Sequence, residues 1–180
     1  ASDLRVKGGR DMLRKHAQLL ARIEATYGIE PHVVVAFWGM ESNYGKRRGD
    51  TPLISTLATL AFDGRRGRFF EKQLVAALKI IQNGDITANR MVGSWAGAMG
   101  HTQFIPTSYR AYAQDVDGNG RKDIWNSVPD ALGTAANLLR RNGWRSGQTW
   151  GYEVKPTKTA LRQSGKTRTL AQWAKFGIRR

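Results

Sequence analysis

The feature that most constrains this chain is an almost wholly apolar run, residues 31–40, that leads directly into one acid. The run reads PHVVVAFWGM and is followed by Glu41. Its first residue, proline, suits the first turn of a helix, because its fixed φ is helical and its missing N–H would have had no partner. About three helical turns fit before Gly45, a natural stop. We therefore predict a helix that is buried on all sides and carries Glu41 near its carboxyl end.

The predicted position of Glu41 has a chemical consequence. The carboxyl end of a helix carries partial negative charge, and apolar surroundings disfavour a carboxylate. Both effects raise the pKa of an acid, so Glu41 is a candidate for a group that keeps its proton near neutral pH and donates it to a leaving oxygen. The alternative is that Glu41 pairs with Arg47 or Arg48 and only closes the helix.

Composition narrows the class of protein. A length of 180 residues is typical of one domain, and the absence of cysteine excludes disulfide scaffolds and thiolate metal sites. No apolar run is long enough to span a bilayer. The net charge of +15 predicts an anionic partner, such as nucleic acid, an acidic polysaccharide or a membrane surface. Because no arginine-rich helix is interleaved with stacking aromatic residues, we expect no nucleic-acid partner.

Helical periodicity dominates the rest of the chain. Apolar spacing and terminating Gly or Asn residues predict helices over residues 10–27, 53–62, 68–82, 106–112, 131–141 and 169–175. We expect His16, on the apolar face of the first of these, to be a packed core histidine. Strand-like alternation is restricted to residues 150–154. The fold class predicted from the residues is therefore mainly α.

A segment of different texture covers residues 93–106 and reads GSWAGAMGHTQFIP. It holds three glycines and no acid or base other than histidine, with Ser94, His101 and Gln103 spaced along it. Glycine allows another chain or a ligand to approach the backbone closely. The segment fits a sugar cleft, which needs flat apolar faces and a few placed hydrogen-bonding groups. A tight helix crossing built from small residues fits it equally well.

An acidic loop begins at Asp115 and follows the EF-hand spacing. Oxygen ligands fall at loop positions one, three, five, seven and nine, which are Asp115, Asp117, Asn119, the carbonyl of Arg121 and Asp123. Position twelve is Asn126 in place of the usual glutamate, and Asp130 is a candidate substitute. We predict a structural calcium ion here. The alternative is a metal-free turn whose acids pair with Arg121 or Lys122.

Three separated motifs together resemble a known family. They are WGMESNYG at residues 38–45, GSWAGAMG with QFIP within residues 93–106, and the acidic loop through residue 125. In this order they are similar to the membrane-bound lytic murein transglycosylase B family, over about residues 5–150. The family also brings a Tyr-Asn pair and a further tyrosine to its cleft, and we find no match to them. We therefore expect a minimal core.

The resemblance implies a lysozyme-like, goldfish-type catalytic core with an EF-hand-like loop over residues 1–150, and a basic extension over residues 151–180. It implies non-hydrolytic cleavage of the β-1,4 bond between N-acetylmuramic acid and N-acetylglucosamine in peptidoglycan, with 1,6-anhydromuramic acid as the new end. The family's catalytic glutamate matches Glu41, its cleft serine and glutamine match Ser94 and Gln103, and its calcium loop matches the ligands given above. We expect Tyr44 to contact substrate nearby.

The same resemblance implies a calcium-containing periplasmic lyase, which we expect to be a monomer that binds peptidoglycan glycan strands. It leaves open whether a lipid anchor was removed from the chain. Ordinary glycosidases need two carboxylates across the bond, and Asp50 is the only second acid close to Glu41 in the sequence. One acid fits a lyase-like route. The alternatives are a hydrolytic muramidase that uses Asp50 or Asp63, and a non-catalytic peptidoglycan-binding module.

Overall fold

Helices form nearly all of the regular secondary structure in the computed structural model, which describes residues 2–148, 151 and 153–178. The chain divides into two units, Ala1–Ser146 and Gly147–Arg180. The helices of the first unit are α1 (Asp3–Lys15), α2 (Ala17–Tyr27), α3 (Pro31–Ser42), α4 (Leu53–Asp63), α5 (Gly67–Gln82), α6 (Pro106–Tyr112) and α7 (Val128–Arg141). The prediction of a mainly α fold is confirmed.

The strands of the first unit are two residues long. β1 (Thr51–Pro52) pairs antiparallel with β2 (Val92–Gly93), with Thr51 opposite Gly93. Single bridges then link Gly93 to Met99 and Met99 to Phe104. The glycine-rich segment therefore folds back on itself beside β1 and is not a helix crossing.

The first predicted helix, residues 10–27, is divided in the structure. α1 already begins at Asp3, and the helical path breaks at His16, whose φ is −110° and ψ is 22°. The break changes the direction of the chain so that α1 and α2 each pack against α3. The half-buried ring of His16 meets Trp38 edge-on, with 5.7 Å between ring centroids. Periodicity alone could not show the break, because both helices keep apolar residues in phase.

The prediction that α3 is buried on all sides is wrong. Val34, Val35 and Trp38 are buried, but Met40 is 74% exposed and Glu41 is also exposed. Helices α1, α2 and α7 contact α3, and they leave one strip of its surface in solvent. α3 also ends earlier than predicted, at Ser42, because the residues from Asn43 to Gly45 have positive φ values of 51°, 60° and 81°.

Helix α7 joins the two parts of the hydrophobic core. It supplies Ala131 and Ala135 to a cluster shared with α4, α5 and α6. One residue further round the helix, Leu132 and Ala136 belong to a second cluster shared with α2 and α3. Small residues on both faces of α7 allow two layers to pack close to its backbone. The sequence predicted this helix, and Ser127 is its N-cap: the Ser127 hydroxyl accepts a hydrogen bond from the Asp130 N–H.

The second unit contains two short helices, α8 (Lys158–Leu161) and α9 (Leu170–Lys175). α9 begins with a capping box, in which Thr169 and Gln172 each bond to the other's backbone N–H. The predicted helix over residues 169–175 is confirmed. The predicted strand over residues 150–154 lies partly outside the described residues. None of the helices in the part of the chain that the structure describes is both long and apolar enough to cross a membrane.

Glycine is required at position 100, and this requirement can be tested. Gly100 has a φ of 69°, and an added Cβ would lie 2.4 Å from the Ile124 carbonyl oxygen. Gly84 has a similar φ of 82°, but open space surrounds it. We expect Gly100→Ala to lower the free energy of unfolding by about 3 kcal/mol and Gly84→Ala by about 1 kcal/mol, as measured in urea. Equal losses would contradict the close approach.

Candidate active site

Glu41 lines a cavity of about 150 Å³ that is built by four parts of the chain. Phe37 and Glu41 lie four residues apart on α3 and so share one face of the helix. The refolded segment after β2, helix α6 and helix α7 supply the rest of the lining: Thr102, Gln103, Phe104, Ile105, Ser108 and Leu138. Among the described residues, Glu41 is the only acid in this lining. The cavity therefore combines one carboxyl group with apolar walls and a few polar groups.

Glu41 has no partner among the described residues that would hold it ionised. Within the described residues the one ion pair joins Arg14 to Asp11, and no hydrogen bond reaches the Glu41 side chain. Desolvation raises the pKa of Glu41 above its ordinary value. The position in the last turn of α3 acts in the same direction, because the carboxyl end of a helix disfavours negative charge. The alternative in which Arg47 or Arg48 pairs with Glu41 is thus wrong for this structure.

Arg48 is held elsewhere, by a backbone carbonyl next to a buried histidine. Its guanidinium donates to the carbonyl of Trp125 and lies 3.3 Å from Nε2 of His101. On the other side of the imidazole, Nδ1 accepts from the indole N–H of Trp38 at 3.1 Å. These contacts place Arg48 beside His101 and not beside Glu41.

His101 also joins α3 to the acidic loop through its backbone. Its carbonyl accepts from the Ser42 hydroxyl, and its N–H donates to the Ile124 carbonyl at 2.9 Å. The side chain is 8% exposed. Burial, together with the positive charge of Arg48, lowers the pKa of His101 to about 4. Of the two interpretations that the sequence left open for this segment, His101 fits the packed one, because its imidazole is part of the core.

Gln103 reaches the cavity through an unusual backbone conformation. Its φ is 52°, in the left-handed region. Its side-chain N–H groups donate to the carbonyls of Arg48 at 3.0 Å and Gly100 at 2.9 Å. No described residue donates to the Oε1 atom of Gln103. The side chain is therefore held by its nitrogen, and its oxygen is left as an acceptor.

Ser94 does not line the Glu41 cavity. Its hydroxyl accepts from the Ala98 N–H at 3.0 Å, and its own N–H donates to the Ala98 carbonyl at 2.8 Å. These bonds close a tight loop around Trp95. The structure thus brings together Glu41 and Gln103, while Ser94 supports a loop.

Tyr44 also lies away from the cavity. Its hydroxyl donates to the Arg5 carbonyl at 2.7 Å, and its ring meets Trp38 edge-on, with 5.9 Å between centroids. A Cβ added at Gly39 would lie 2.6 Å from the Tyr44 ring. Tyr44 therefore packs α1 closely onto α3.

The acidic loop brings three carboxyl groups together. Oxygens of Asp115, Asp117 and Asp130 lie within 4.8 Å of one another. Asp115 accepts from three successive N–H groups, at residues 118 to 120, with distances of 2.8, 3.1 and 2.8 Å. This bonding winds the loop tightly around its first acid. Carboxylate oxygens at this spacing suit a hard cation such as calcium.

Asp130 is the buried member of the cluster. Its carboxylate accepts from the N–H groups of Val116 at 2.7 Å, Asp117 at 3.3 Å and Asp123 at 2.9 Å. Burial raises the pKa of Asp130, and these three bonds oppose the rise. Asp123 has a different part, because its carboxylate accepts from the N–H groups of Trp125 and Asn126. Of the predicted side-chain ligands, Asp115 and Asp117 belong to the cluster and Asp123 does not. The third member is Asp130, the candidate substitute.

Several cavity residues were not identified from the sequence. Phe37 could have been found, since it lies one helical turn before Glu41. Ser108 and Leu138 carry no local signal, because only the packing of α6 and α7 brings them to the cavity.

The neutrality of His101 predicts a specific pH dependence. Its pKa is 6.5 when unfolded and about 4 when folded, so the unfolded chain binds more protons between these values and stability falls as pH falls through this window. We expect this group to remove about 3 kcal/mol of unfolding free energy between pH 7 and pH 4. The variant His101→Asn keeps an acceptor for Trp38 but does not titrate. Urea unfolding should therefore give a smaller loss for the variant, and parallel pH profiles would contradict the assignment.

Comparisons with known proteins identify the family. Residues 1–180 match the family described as transglycosylase SLT domain. Membrane-bound lytic murein transglycosylase B of Escherichia coli strain K12 is 32% identical over 175 residues, which cover 96% of this chain and 48% of that protein. The chain thus spans about half the length of this relative.

Solved structures are also similar. SltB3 from Pseudomonas aeruginosa, in complex with NAG-anhNAM-pentapeptide, is 48% identical with a TM-score of 0.91, and the match covers 99% of this chain and 48% of that one. The Escherichia coli lytic transglycosylase Slt35, in complex with calcium, is 28% identical with a TM-score of 0.88, covering 99% and 58%. The family match extends over the whole chain and agrees with both structures. This chain therefore belongs to the transglycosylase SLT domain family.

Proposed function

We propose that this chain is the catalytic core of a lytic transglycosylase, which cleaves the β-1,4 bond between N-acetylmuramic acid and N-acetylglucosamine in peptidoglycan. The observation that carries the proposal is Glu41, an unpaired acid with a raised pKa that is the only acid lining its cavity among the described residues. The ligand bound to SltB3 contains an anhydro sugar. A sugar of that kind is the product of this reaction, so the relative supports the same chemistry.

In the first step Glu41 donates its proton to the glycosidic oxygen as the bond from that oxygen to C1 of the muramic sugar breaks. The N-acetyl group of the substrate stabilises the positive charge that develops at C1. In the second step the Glu41 carboxylate takes the proton of the C6 hydroxyl while that oxygen attacks C1. Glu41 thus regains its proton, and no water is consumed. One residue acts first as acid and then as base, which general acid–base catalysis permits when its pKa is raised.

Gln103 is the residue that we assign to positioning the substrate. Its Oε1 atom accepts no bond from a described residue, so it is available to an N-acetyl N–H group of the glycan. Its side-chain nitrogen is fixed by two backbone carbonyls, which keeps the acceptor in place without further ordering. Ser94, the other predicted substrate-binding residue, acts indirectly, because its hydrogen bonds to Ala98 close the loop next to this segment. The expected contact of Tyr44 with substrate receives no support from its position between α1 and α3.

The hydrolytic alternative needs a second carboxylate across the bond. Neither Asp50 nor Asp63 lines the Glu41 cavity, and Asp63 lines a different one. These positions favour the single-acid reaction over a muramidase. A binding module without catalysis does not require an acid with a raised pKa in its cavity, whereas the transglycosylase reaction does.

We further propose that the chain acts in the periplasm, as a monomer, on the glycan strands of the cell wall. Its net charge of +15 favours an anionic polymer. This attraction is weak for exposed charges and falls with salt.

We also propose a structural calcium ion in the acidic loop. Asp115, Asp117 and Asp130 would supply carboxylate oxygens, with Asn119 and the Arg121 carbonyl as the further oxygen ligands predicted from the sequence. Three carboxyl groups within 4.8 Å repel one another, and a divalent cation removes that repulsion. The calcium in the Slt35 structure supports the same ion here. The ion would stabilise the loop whose Ile124 carbonyl holds His101, and it takes no part in the reaction.

The role of Glu41 can be tested by substitution. We expect Glu41→Gln to lower the rate of release of labelled fragments from insoluble peptidoglycan by about 10²–10⁴-fold, because the amide cannot donate or take the proton. Glu71→Gln, at an exposed glutamate of α5, is the matched control and should keep the parent rate. An activity of Glu41→Gln within tenfold of the parent, with the same thermal melt, would remove Glu41 from the acid role.

The calcium proposal has a readout that does not depend on activity. A ligand at about 100 times its Kd stabilises the folded state by about 2.7 kcal/mol, so calcium should raise Tm by roughly 5–10 °C over a sample in chelator. Asp117→Asn should reduce this rise. Asp50→Asn removes the same charge outside the loop and should leave the rise intact. The absence of any calcium-dependent change in Tm would contradict the proposed site.

A further inference from the structure

The side chain of one tryptophan, at the tip of a closed loop, is largely exposed to solvent. Trp95 is 74% exposed, which is unusual for so large an apolar side chain. The loop that carries it is closed by the two hydrogen bonds between Ser94 and Ala98, and the Gly97 N–H also donates to the Ser94 carbonyl at 3.0 Å. The backbone that carries the exposed indole is therefore fixed before any ligand arrives, which lowers the entropic cost of binding.

A second cavity, of about 150 Å³, opens beside Trp95. Its other lining residues come from the end of α4, the turn between α4 and α5, the start of α5 and the loop itself: Leu60, Asp63, Arg65, Arg66, Phe70 and Ala96. None of these residues lines the cavity of Glu41. The two cavities are thus separate features of the first unit.

The two arginines at this cavity have guanidinium groups that are not engaged by other described residues through ion pairs or hydrogen bonds. Among residues that the structure describes, neither Arg65 nor Arg66 forms an ion pair or donates a side-chain hydrogen bond. The guanidinium carbon of Arg66 lies 4.2 Å from the ring centroid of Phe69. This cation–π contact orients the group and leaves its N–H donors available. Phe62, next to Asp63 in the chain, is 93% exposed and adds a further aromatic ring.

The chemistry of these side chains selects a class of ligand. An exposed indole stacks on a flat apolar face, such as one face of a pyranose ring. Free guanidinium groups bind carboxylates, which the stem peptides of peptidoglycan carry. A nucleic acid would also offer stacking and negative charge, and Asp63 in the same cavity repels phosphates and carboxylates alike, so the choice between the two polymers is made by the proposed function. With that choice, the ligand class is an N-acetylated sugar with an acidic peptide.

We propose that Trp95, Arg65 and Arg66 form a second glycan-binding surface, distinct from the Glu41 cavity, which stacks on a sugar of the peptidoglycan strand and binds carboxylates of its stem peptides. The inference rests on the proposed function for its choice of polymer. Two contacts with one strand raise the affinity for long polymers more than for short fragments, because the second contact forms intramolecularly. Ser94 then serves binding indirectly, by holding the loop of Trp95.

The test is sedimentation with insoluble peptidoglycan, with all variants made in a Glu41→Gln background so that the polymer stays intact. We expect Trp95→Ala to weaken binding about tenfold, a typical effect of removing one aromatic anchor. Leu4→Ala, at another apolar side chain that is 81% exposed, should bind like its parent. Arg66→Ala should weaken binding more than Lys79→Ala, which removes the same charge further along α5.

Three results would overturn the proposal: equal binding by Trp95→Ala and its parent, an equal loss in Leu4→Ala, or equal losses in Arg66→Ala and Lys79→Ala. A loss on single-stranded DNA with none on peptidoglycan would assign the surface to nucleic acid instead. These outcomes concern binding alone. Failure of Glu41 as the acid would appear only in cleavage by otherwise unmodified protein, so the two failures are distinguishable.

Discussion

The hydrogen bond from the Trp38 indole to the buried His101 ring is the interaction on which the rest of the site depends. It joins the centre of α3 to the glycine-rich segment, and the backbone of His101 continues the connection to Ser42 and Ile124. A charged imidazole could not accept this bond, because both of its nitrogens would be donors. Burial and the nearby Arg48 keep the ring neutral. The side chain and the backbone of His101 thus connect α3 to the acidic loop beside the Glu41 cavity.

The state of Glu41 follows from this arrangement. Arg48 is one of the two arginines that the sequence offered as partners of Glu41, and the structure binds it to the Trp125 carbonyl beside His101. Glu41 is left without an ion pair, at the end of a helix and above apolar walls, so its pKa rises. The segment that carries His101 therefore leaves Glu41 without a cation beside it, and desolvation raises the pKa of Glu41.

Local signals in the sequence predicted much of this. Proline and apolar residues predicted α3, a serine cap predicted α7, and alternating acids predicted a loop that folds around Asp115. Features set by distant contacts could not be predicted. The break at His16 and the exposure of Met40 depend on which helices surround α3. Leu138 enters the cavity only through the packing of α7. Asp130 was a candidate ligand from its position after the loop, but its burial and its three backbone hydrogen bonds are set by the fold. His101 shows the limit most clearly, because a polar residue in a glycine-rich segment is equally consistent with a cleft and with a core.

The proposed reaction differs from hydrolysis by one molecule of water, and this difference is directly measurable. The most direct test of the account is the mass of the soluble muropeptides released from purified peptidoglycan by this chain. A single acid that also acts as the base predicts products one water lighter than the reducing muropeptides, with 1,6-anhydromuramic ends. Products with free reducing ends would contradict the account, since they require an attacking water and a second group to activate it.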